Sequence, residues 1–239
     1  MNSSVKNIVI LAGGKGTRMR ENPQVVPKPM VKIGGVPVLT HITNYFDQFG
    51  YFKYIICSGY KEEVLFDYFK NNNNEKIKII STGTDTQTGG RLISIQEHLE
   101  SDNFLMTYGD GLADVKIHEL LDFHKNNPKI ATITVHKPEF RFGVVNFDEN
   151  NQVESFIEKP TLNHYVNIGF MVLNKKVFDY IDTDMPFENE PLVNLAKNNE
   201  LGAFKHHGFF RPMDTYREYL ELNELWEENK APWKPSLVE

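Results

Sequence analysis

The chain has 239 residues, of which 40% are hydrophobic and 24% charged, with a formal charge of -6. This allows one large α/β domain with a substantial core, read here as a single domain over 1–239. The acidic balance argues against nucleic-acid partners, and no apolar run approaches a membrane span, so a cytoplasmic protein is expected.

Strand and helix signals alternate from the start. Lys6–Leu11 reads as a buried strand, entered from Met1 with no signal-peptide core. Val38–Phe49 has helical spacing (Leu39, Ile42, Tyr45, Phe46, Phe49) and stops at Gly50. Tyr54–Ser58 is a strand holding the single cysteine, Cys57, expected to be a buried small hydrophobe. A helix over Lys61–Phe69, a strand over Lys76–Ser81 and a helix over Arg91–His98 follow. Next come a strand over Phe104–Tyr108, a helix over Ile117–Asn126 and a strand over Ala131–His136. This rhythm predicts an open, mostly parallel sheet with helices on both faces.

The rhythm then changes. Gly143–Phe147 and Val153–Ile157 flank Asp148-Glu149-Asn150-Asn151, which is turn chemistry and predicts a small antiparallel hairpin. Beyond it lie a strand over Ile168–Leu173, a short helix over Lys176–Ile181, and a helix over Pro191–Asn198 with Leu192, Leu195 and Ala196 inward. Strands over Leu201–His206 and Gly208–Phe210 precede a closing amphipathic helix over Thr215–Glu228. The histidines show no metal-ligand spacing and are assigned to core or surface.

The chemistry concentrates at the end of the first strand, in Leu11-Ala12-Gly13-Gly14-Lys15-Gly16-Thr17-Arg18, followed by Pro27-Lys28-Pro29-Met30. The glycines let the backbone approach a ligand and turn N–H groups toward it. Arg18 and Lys28 add cations, so the combination predicts a nucleoside triphosphate site. The dinucleotide fingerprint fits only in part, since Met19 stands where its third glycine belongs. A Walker loop is excluded, because Gly14-Lys15 is followed by Gly16 and not by Ser or Thr.

With these residues in view, the chain resembles the sugar-1-phosphate nucleotidyltransferases, and within them the glucose-1-phosphate cytidylyltransferase branch. The likeness covers almost the whole chain. It runs through the opening loop, Thr88-Gly-Gly-Arg-Leu92, Thr107-Tyr-Gly-Asp-Gly111, Glu158-Lys-Pro160, Glu190-Pro-Leu192 and Pro212-Met-Asp-Thr215. It implies a Rossmann-like sheet of the GT-A type and a homo-oligomer. It also implies magnesium-dependent transfer of CMP from CTP to a phosphorylated acceptor, with release of pyrophosphate, for capsule or lipopolysaccharide precursors.

The resemblance also assigns roles. Arg18 grips the β- and γ-phosphates, Lys28 reaches the α-phosphate, and Lys159 holds the acceptor phosphate. Leu11, Ala12, Gly13, Gly14, Lys15, Gly16, Thr17, Thr82, Gly83, Thr88, Gly89, Gly90 and Asp110 contact the nucleotide. Tyr108, Gly109, Gly143, Glu158 and Asn167 line the acceptor side. Asp110 and Asp214 hold magnesium; on their own, Asp110 reads equally as a turn residue and Asp214 as a helix N-cap. A phosphomonoester is largely dianionic at pH 7, so the nucleophile needs no general base. The site has to supply alignment and positive charge.

The segment between Phe69 and Ser81 is short, where the branch carries a longer insertion that contributes to assembly. On the acceptor side Thr161–Tyr165 differs, and Asn167-Ile168-Gly169 replaces Asn-Gly-Gly. The acceptor therefore stays open among a sugar phosphate, a polyol or glycerol phosphate and a phosphoglutamine-type amide phosphate, and UTP or dTTP stays open beside CTP. A glycosyltransferase would want an Asp-x-Asp motif, whereas Asp110 is followed by Gly111 and Leu112. A silent nucleotide-sensing subunit would have lost a site residue, whereas Arg18, Lys28, Asp110, Lys159 and Asp214 are all present.

Overall fold

The first strand, β1 (Val5–Leu11), is buried at every position except Lys6, the pattern of a strand covered on both faces. Side chains alternate along it: Ile8 and Ile10 enter one apolar cluster, Val9 and Leu11 the other. The computed structural model describes residues 5–16, 26–50, 52–71 and 74–235.

A small ribbon, β2 (Lys32–Ile33) with β3 (Val36–Pro37), leads into α1 (Val38–Asp47). Then β4 (Lys53–Ser58), α2 (Glu62–Asn71), β5 (Ile77–Ser81), α3 (Thr88–Ile95), β6 (Asn103–Tyr108) and β7 (Gly111–Ala113) follow. The second half holds α4 (Ile117–Asn126), β8 (Ala131–His136), β9 (Val144–Phe147), β10 (Val153–Ile157) and β11 (Val166–Asn174). It closes with α5 (Glu190–Lys197), β12 (Leu201–Lys205), β13 (Phe210–Pro212) and α6 (Tyr216–Glu227).

Seven strands form the central sheet in the order β12-β8-β11-β6-β1-β4-β5. The pairs β1–β4, β1–β6, β4–β5 and β8–β12 are parallel, while β11 runs antiparallel between β6 and β8. One face is covered by α1, α2, α4 and α6, which contribute Leu39, Phe46, Leu65, Leu120 and Leu222. The other is covered by α3, α5 and a 3-10 helix over Lys175–Tyr180, through Leu92, Ile95, Val177 and Leu195. The mostly parallel sheet, the two helical layers and the antiparallel β9–β10 hairpin match the expected class. Cys57 is fully buried, and burial pushes its thiol up to about 12.

Four expectations need correcting. The helix expected from Arg91 begins at Thr88, and its last part, Gln96–His98, is 3-10. It starts early because the Met185 carbonyl accepts the Gly89 N–H at 2.8 Å, anchoring a turn that the glycines alone would not favour. The helix over Lys176–Ile181 is 3-10 throughout. Ala196 is exposed, off the stripe formed by Leu192 and Leu195. The strand placed at Gly208–Phe210 lies instead at Phe210–Pro212, where it pairs with β7. Its proline tolerates the position because this two-stranded ladder leaves an open edge.

Candidate active site

Three short crossings bring the site together at the C-terminal edge of β1 and β6. β1 runs into the glycine loop, β6 runs into Gly109-Asp110, and Pro27 starts a 3-10 turn over Lys28–Met30 that presents Lys28. The β7–β13 ladder pairs Gly111 with Pro212, and the Met213 N–H donates to the Asp110 carbonyl at 2.8 Å. Two carboxylates 104 positions apart in the sequence thereby become neighbours.

The Lys28 ammonium sits between them. Its Nζ donates to Asp110 Oδ2 and to Asp214 Oδ1, each at 2.5 Å. Its side chain is 11% exposed, against 34% for Asp110 and 28% for Asp214. Burial disfavours the ammonium, but the two carboxylates outweigh it and the Lys28 pKa rises above its ordinary value. The lysine is therefore a fixed positive charge at neutral pH. Each carboxylate keeps accessible surface, and such a pair suits a hard cation that completes its shell with water and phosphate oxygens. Among the described residues no group of three or more His, Cys, Asp or Glu could hold a metal by itself.

A cavity of about 270 Å³ opens beside this cluster. Leu11, Ala12, Gly13, Gly14, Gly16, Lys28, Thr88, Tyr108, Gly109 and Asp110 line it, joined by Pro29, Thr86, Gln87 and Arg91. Thr17 and Arg18 lie outside the described residues. Lys15 is at the rim, in a solvent-exposed ion pair with Asp85 at 2.6 Å. Thr82, Gly83, Gly89 and Gly90 do not line the cavity; Thr82 and Gly83 stand behind its wall, bonded to Arg91, while Gly89 and Gly90 pack against Met185 and Asp184.

Arg91 organises that wall. It is buried, and its guanidinium donates to the carbonyls of Ser58 (3.0 Å), Gly83 (2.9 Å) and Gly13 (3.1 Å) and to the Thr82 hydroxyl (2.6 Å). Burial lowers its pKa from the ordinary arginine value. The planar fork ties three loops together at once, which a lysine could not copy. Gly13 is required here: a Cβ on it would lie 1.9 Å from Arg91 Nη1. A surface residue at a helix start is the ordinary reading of Arg91 in the sequence, and only the buried carbonyls reveal its place.

Tyr108 also lines the cavity; its hydroxyl donates to Glu188 Oε1, while the Thr88 hydroxyl donates to Glu188 Oε2 at 2.6 Å. Burial raises the Tyr108 pKa, and the carboxylates of Glu188 and Asp110 raise it further, so the phenol stays protonated. Behind Asp214, Glu218 is buried and forms a capping box with Thr215. Its Oε2 accepts the N–H groups of Asp214 and Thr215 at 2.8 Å each, and its Oε1 accepts Arg141 Nη2 at 2.7 Å. Thr215-x-x-Glu218 is a legible capping signal in the sequence; the reach from Arg141 is not.

Of the residues expected on the acceptor side, Tyr108 and Gly109 line the cavity, and the others lie on other elements. Gly143 precedes β9, and Glu158 and Lys159 follow β10, with Lys159 exposed at φ 45°. Asn167 is on β11, where its Oδ1 accepts the Gly169 N–H at 3.0 Å. His206 is buried between Asp114 Oδ1 (3.1 Å) and the Phe209 carbonyl (3.0 Å), and His207 is exposed.

Comparison with known proteins accords with this geometry. The Nucleotidyl transferase family matches residues 7–204. Glucose-1-phosphate cytidylyltransferases of Salmonella typhi and Salmonella typhimurium are each 44% identical over 252 aligned residues, spanning 95% of this chain and 98% of theirs. HddC from Yersinia pseudotuberculosis complexed with GMP-PN superposes with a TM-score of 0.72 at 25% identity, covering 93% of this chain and all of that one. The chain belongs to the nucleotidyl transferase family.

Two substitutions test the supporting shell. Arg91→Met should destabilise the fold by about 3 kcal/mol, since it strips buried acceptors of their donors. It should also weaken nucleotide binding at least tenfold by titration calorimetry; native affinity would refute the role in shaping the cavity wall. Glu218→Ala should cost about 2 kcal/mol by losing the cap and orphaning two N–H groups. For a chain of this size that lowers Tm by roughly 4–8 °C, and an unchanged calorimetric Tm would contradict it.

Proposed function

We propose that this member of the nucleotidyl transferase family works as one catalytic domain, 1–239, and transfers CMP from CTP to a small phosphorylated acceptor, releasing pyrophosphate. A sugar phosphate is the favoured acceptor, and the setting is cytoplasmic supply of capsule or lipopolysaccharide precursors by a homo-oligomer. The Salmonella relatives, 44% identical along nearly their full length, support the choice of base and acceptor. Among the described residues no helix is long and apolar enough to cross a membrane. The observation that carries the chemistry is Lys28, a buried ammonium held 2.5 Å from both Asp110 and Asp214 beside the glycine-lined cavity.

The reaction is an in-line displacement at the α-phosphorus. The acceptor phosphate oxygen attacks, the bond from the α-phosphorus to the bridging oxygen breaks, and pyrophosphate leaves with that electron pair. Lys28 aligns the attacking oxygen with the α-phosphate and offsets the charge gathering there. The Gly13–Gly16 backbone and Arg18 take the outgoing phosphates. Asp110 and Asp214 would hold Mg²⁺, which would there neutralise phosphate charge. Their donor set fits that ion, since magnesium retains waters and needs only one or two protein carboxylates. Lys159 receives the acceptor phosphate, with Gly143, Glu158 and Asn167 beside it. Ala12, Gly13 and the 82–90 segment frame the cytosine edge.

A pyrophosphate-release screen crossing the four ribonucleoside triphosphates and dTTP with phosphorylated sugars, polyols and amides tests the reading. Turnover should require CTP and be highest with a sugar phosphate; selectivity for another triphosphate would replace the base assignment. Lys28→Ala should lower turnover at least a thousandfold with an unchanged circular dichroism spectrum. Asp110→Asn should remove the magnesium dependence together with activity; an unaltered magnesium titration would move the metal elsewhere.

A further inference from the structure

Glu188 is not among the residues that line the cavity, yet it holds two hydroxyls that are. It stands just ahead of α5, and Thr88 opens α3; both helices cover the same face of the sheet, against which Tyr108 also packs. The segment before α5 is tied along the start of α3. Asp184 Oδ1 accepts the Gln87 N–H at 2.7 Å, and the Met185 carbonyl accepts the Gly89 N–H at 2.8 Å. The Thr88 hydroxyl accepts the Phe187 N–H at 2.7 Å. Phe187 is fully buried, which pins the backbone that carries Glu188. The Glu188 side chain itself is exposed, so its bonds and not its packing set its place.

The hydrogens of this cluster decide what it offers a ligand. A phenol and a threonine hydroxyl each have one hydrogen to donate, and a carboxylate has none. Tyr108 gives its hydrogen to Glu188 Oε1, and Thr88 gives its own to Glu188 Oε2. Thr88 Oγ already accepts the Phe187 N–H, which leaves it one lone pair. Both oxygens therefore offer the cavity lone pairs and no hydrogen. A phosphate oxygen or a carboxylate on the ligand only accepts, so it finds no donor here and meets the Glu188 charge behind the hydroxyls. A ligand hydroxyl is satisfied. It donates to one of the two oxygens, or takes the place of one of them on Glu188, and in either arrangement it supplies the hydrogen.

The sheet order shows which substrate reaches this cluster. Arg91 gathers its carbonyls from Gly13, Ser58 and Gly83, at or just beyond the ends of β1, β4 and β5. Tyr108 ends β6, whose other neighbour is β11. A Cβ on Gly169 would lie 2.2 Å from Tyr108 Cδ2, so the glycine, at φ 83°, gives the ring its seat against β11. Asn167, an acceptor-side residue, is on the same strand and accepts the Gly169 N–H. The cluster thus leans away from the Arg91 carbonyls and toward the acceptor side.

We propose that Glu188 is a positioning residue for the acceptor: by holding the hydrogens of Tyr108 and Thr88, it selects an acceptor that presents a hydroxyl, and no negative charge, at this end of the cavity. The inference rests on cytidylyl transfer to a phosphorylated acceptor and narrows that acceptor to the class of sugar and polyol phosphates. A carboxylate-bearing amide phosphate is disfavoured. The ribose hydroxyls and the cytosine amino group of CTP are donors too, and separate KM values for the two substrates tell these sources apart.

Steady-state pyrophosphate release with CTP, magnesium and glucose 1-phosphate tests this through Glu188→Gln. The amide keeps the shape but brings two hydrogens, so Tyr108 and Thr88 cannot both donate to it. The KM for glucose 1-phosphate should rise at least tenfold, with the KM for CTP within twofold of native and Tm unchanged. A merely structural role would shift Tm or move both KM values together. Glucuronic acid 1-phosphate supplies the charge arm. The unsubstituted enzyme should prefer glucose 1-phosphate to it at least tenfold in kcat/KM, and Glu188→Gln should cut that preference at least fivefold. An unchanged KM for glucose 1-phosphate, a rise confined to the KM for CTP, an unchanged preference, or native turnover only with carboxylate-bearing acceptors would each overturn the proposal while leaving cytidylyl transfer standing. A chain inactive with CTP and every acceptor would instead remove cytidylyl transfer, and this inference with it.

Discussion

One buried ammonium shared by two carboxylates organises this molecule. Lys28 comes from the turn after the glycine loop, Asp110 from the end of β6, and Asp214 from the link between β13 and α6. Each group alone would be costly to hold at low exposure. Together they offset much of one another's charge, with one negative charge left in excess, and fix three segments in space. Removing one partner leaves a charge with reduced solvation, so the same contact serves stability and places positive charge at the sheet edge. The β7–β13 ladder and the Glu218 cap make that contact reproducible, because they set the backbone of both aspartates before any substrate arrives.

Much of this was legible in the residue order. Local signals carried it: the continuous burial of β1, the glycine loop, the helical stripes of α1, α4 and α6, and turn residues around 148–151 all fell where expected. The ion pair that joins Lys28 to Asp110 and Asp214 was not among the expectations: resemblance put Lys28 at the α-phosphate and the aspartates on magnesium, and each aspartate alone has an ordinary turn or cap reading. What escaped is non-local. Arg91 has no sequence mark that distinguishes it from a surface helix residue; its burial follows from three carbonyls on loops at 13, 58 and 83. Strand β7 is three residues long and pairs with a strand about a hundred positions later, so no periodicity announces it. The antiparallel course of β11 likewise follows from its partners and not from its own composition.

Two parts of the cavity lining differ in kind. Arg91 freezes carbonyls and leaves few rotatable groups beside it. Tyr108, Thr88 and Glu188 form a chain of side-chain hydrogen bonds that can exchange partners with an incoming hydroxyl.

The ladder between β7 and β13 has a temporal consequence as well. Asp214 belongs to a stretch that leaves the ribosome only after the strands of the central sheet, helices α1 to α5 and the whole glycine loop have been synthesised. A nascent chain can thus bury most of its core while lacking one of the two carboxylates that bracket Lys28. The catalytic centre is a late event of biosynthesis, and the emerging polypeptide stays chemically silent until its closing helix has docked.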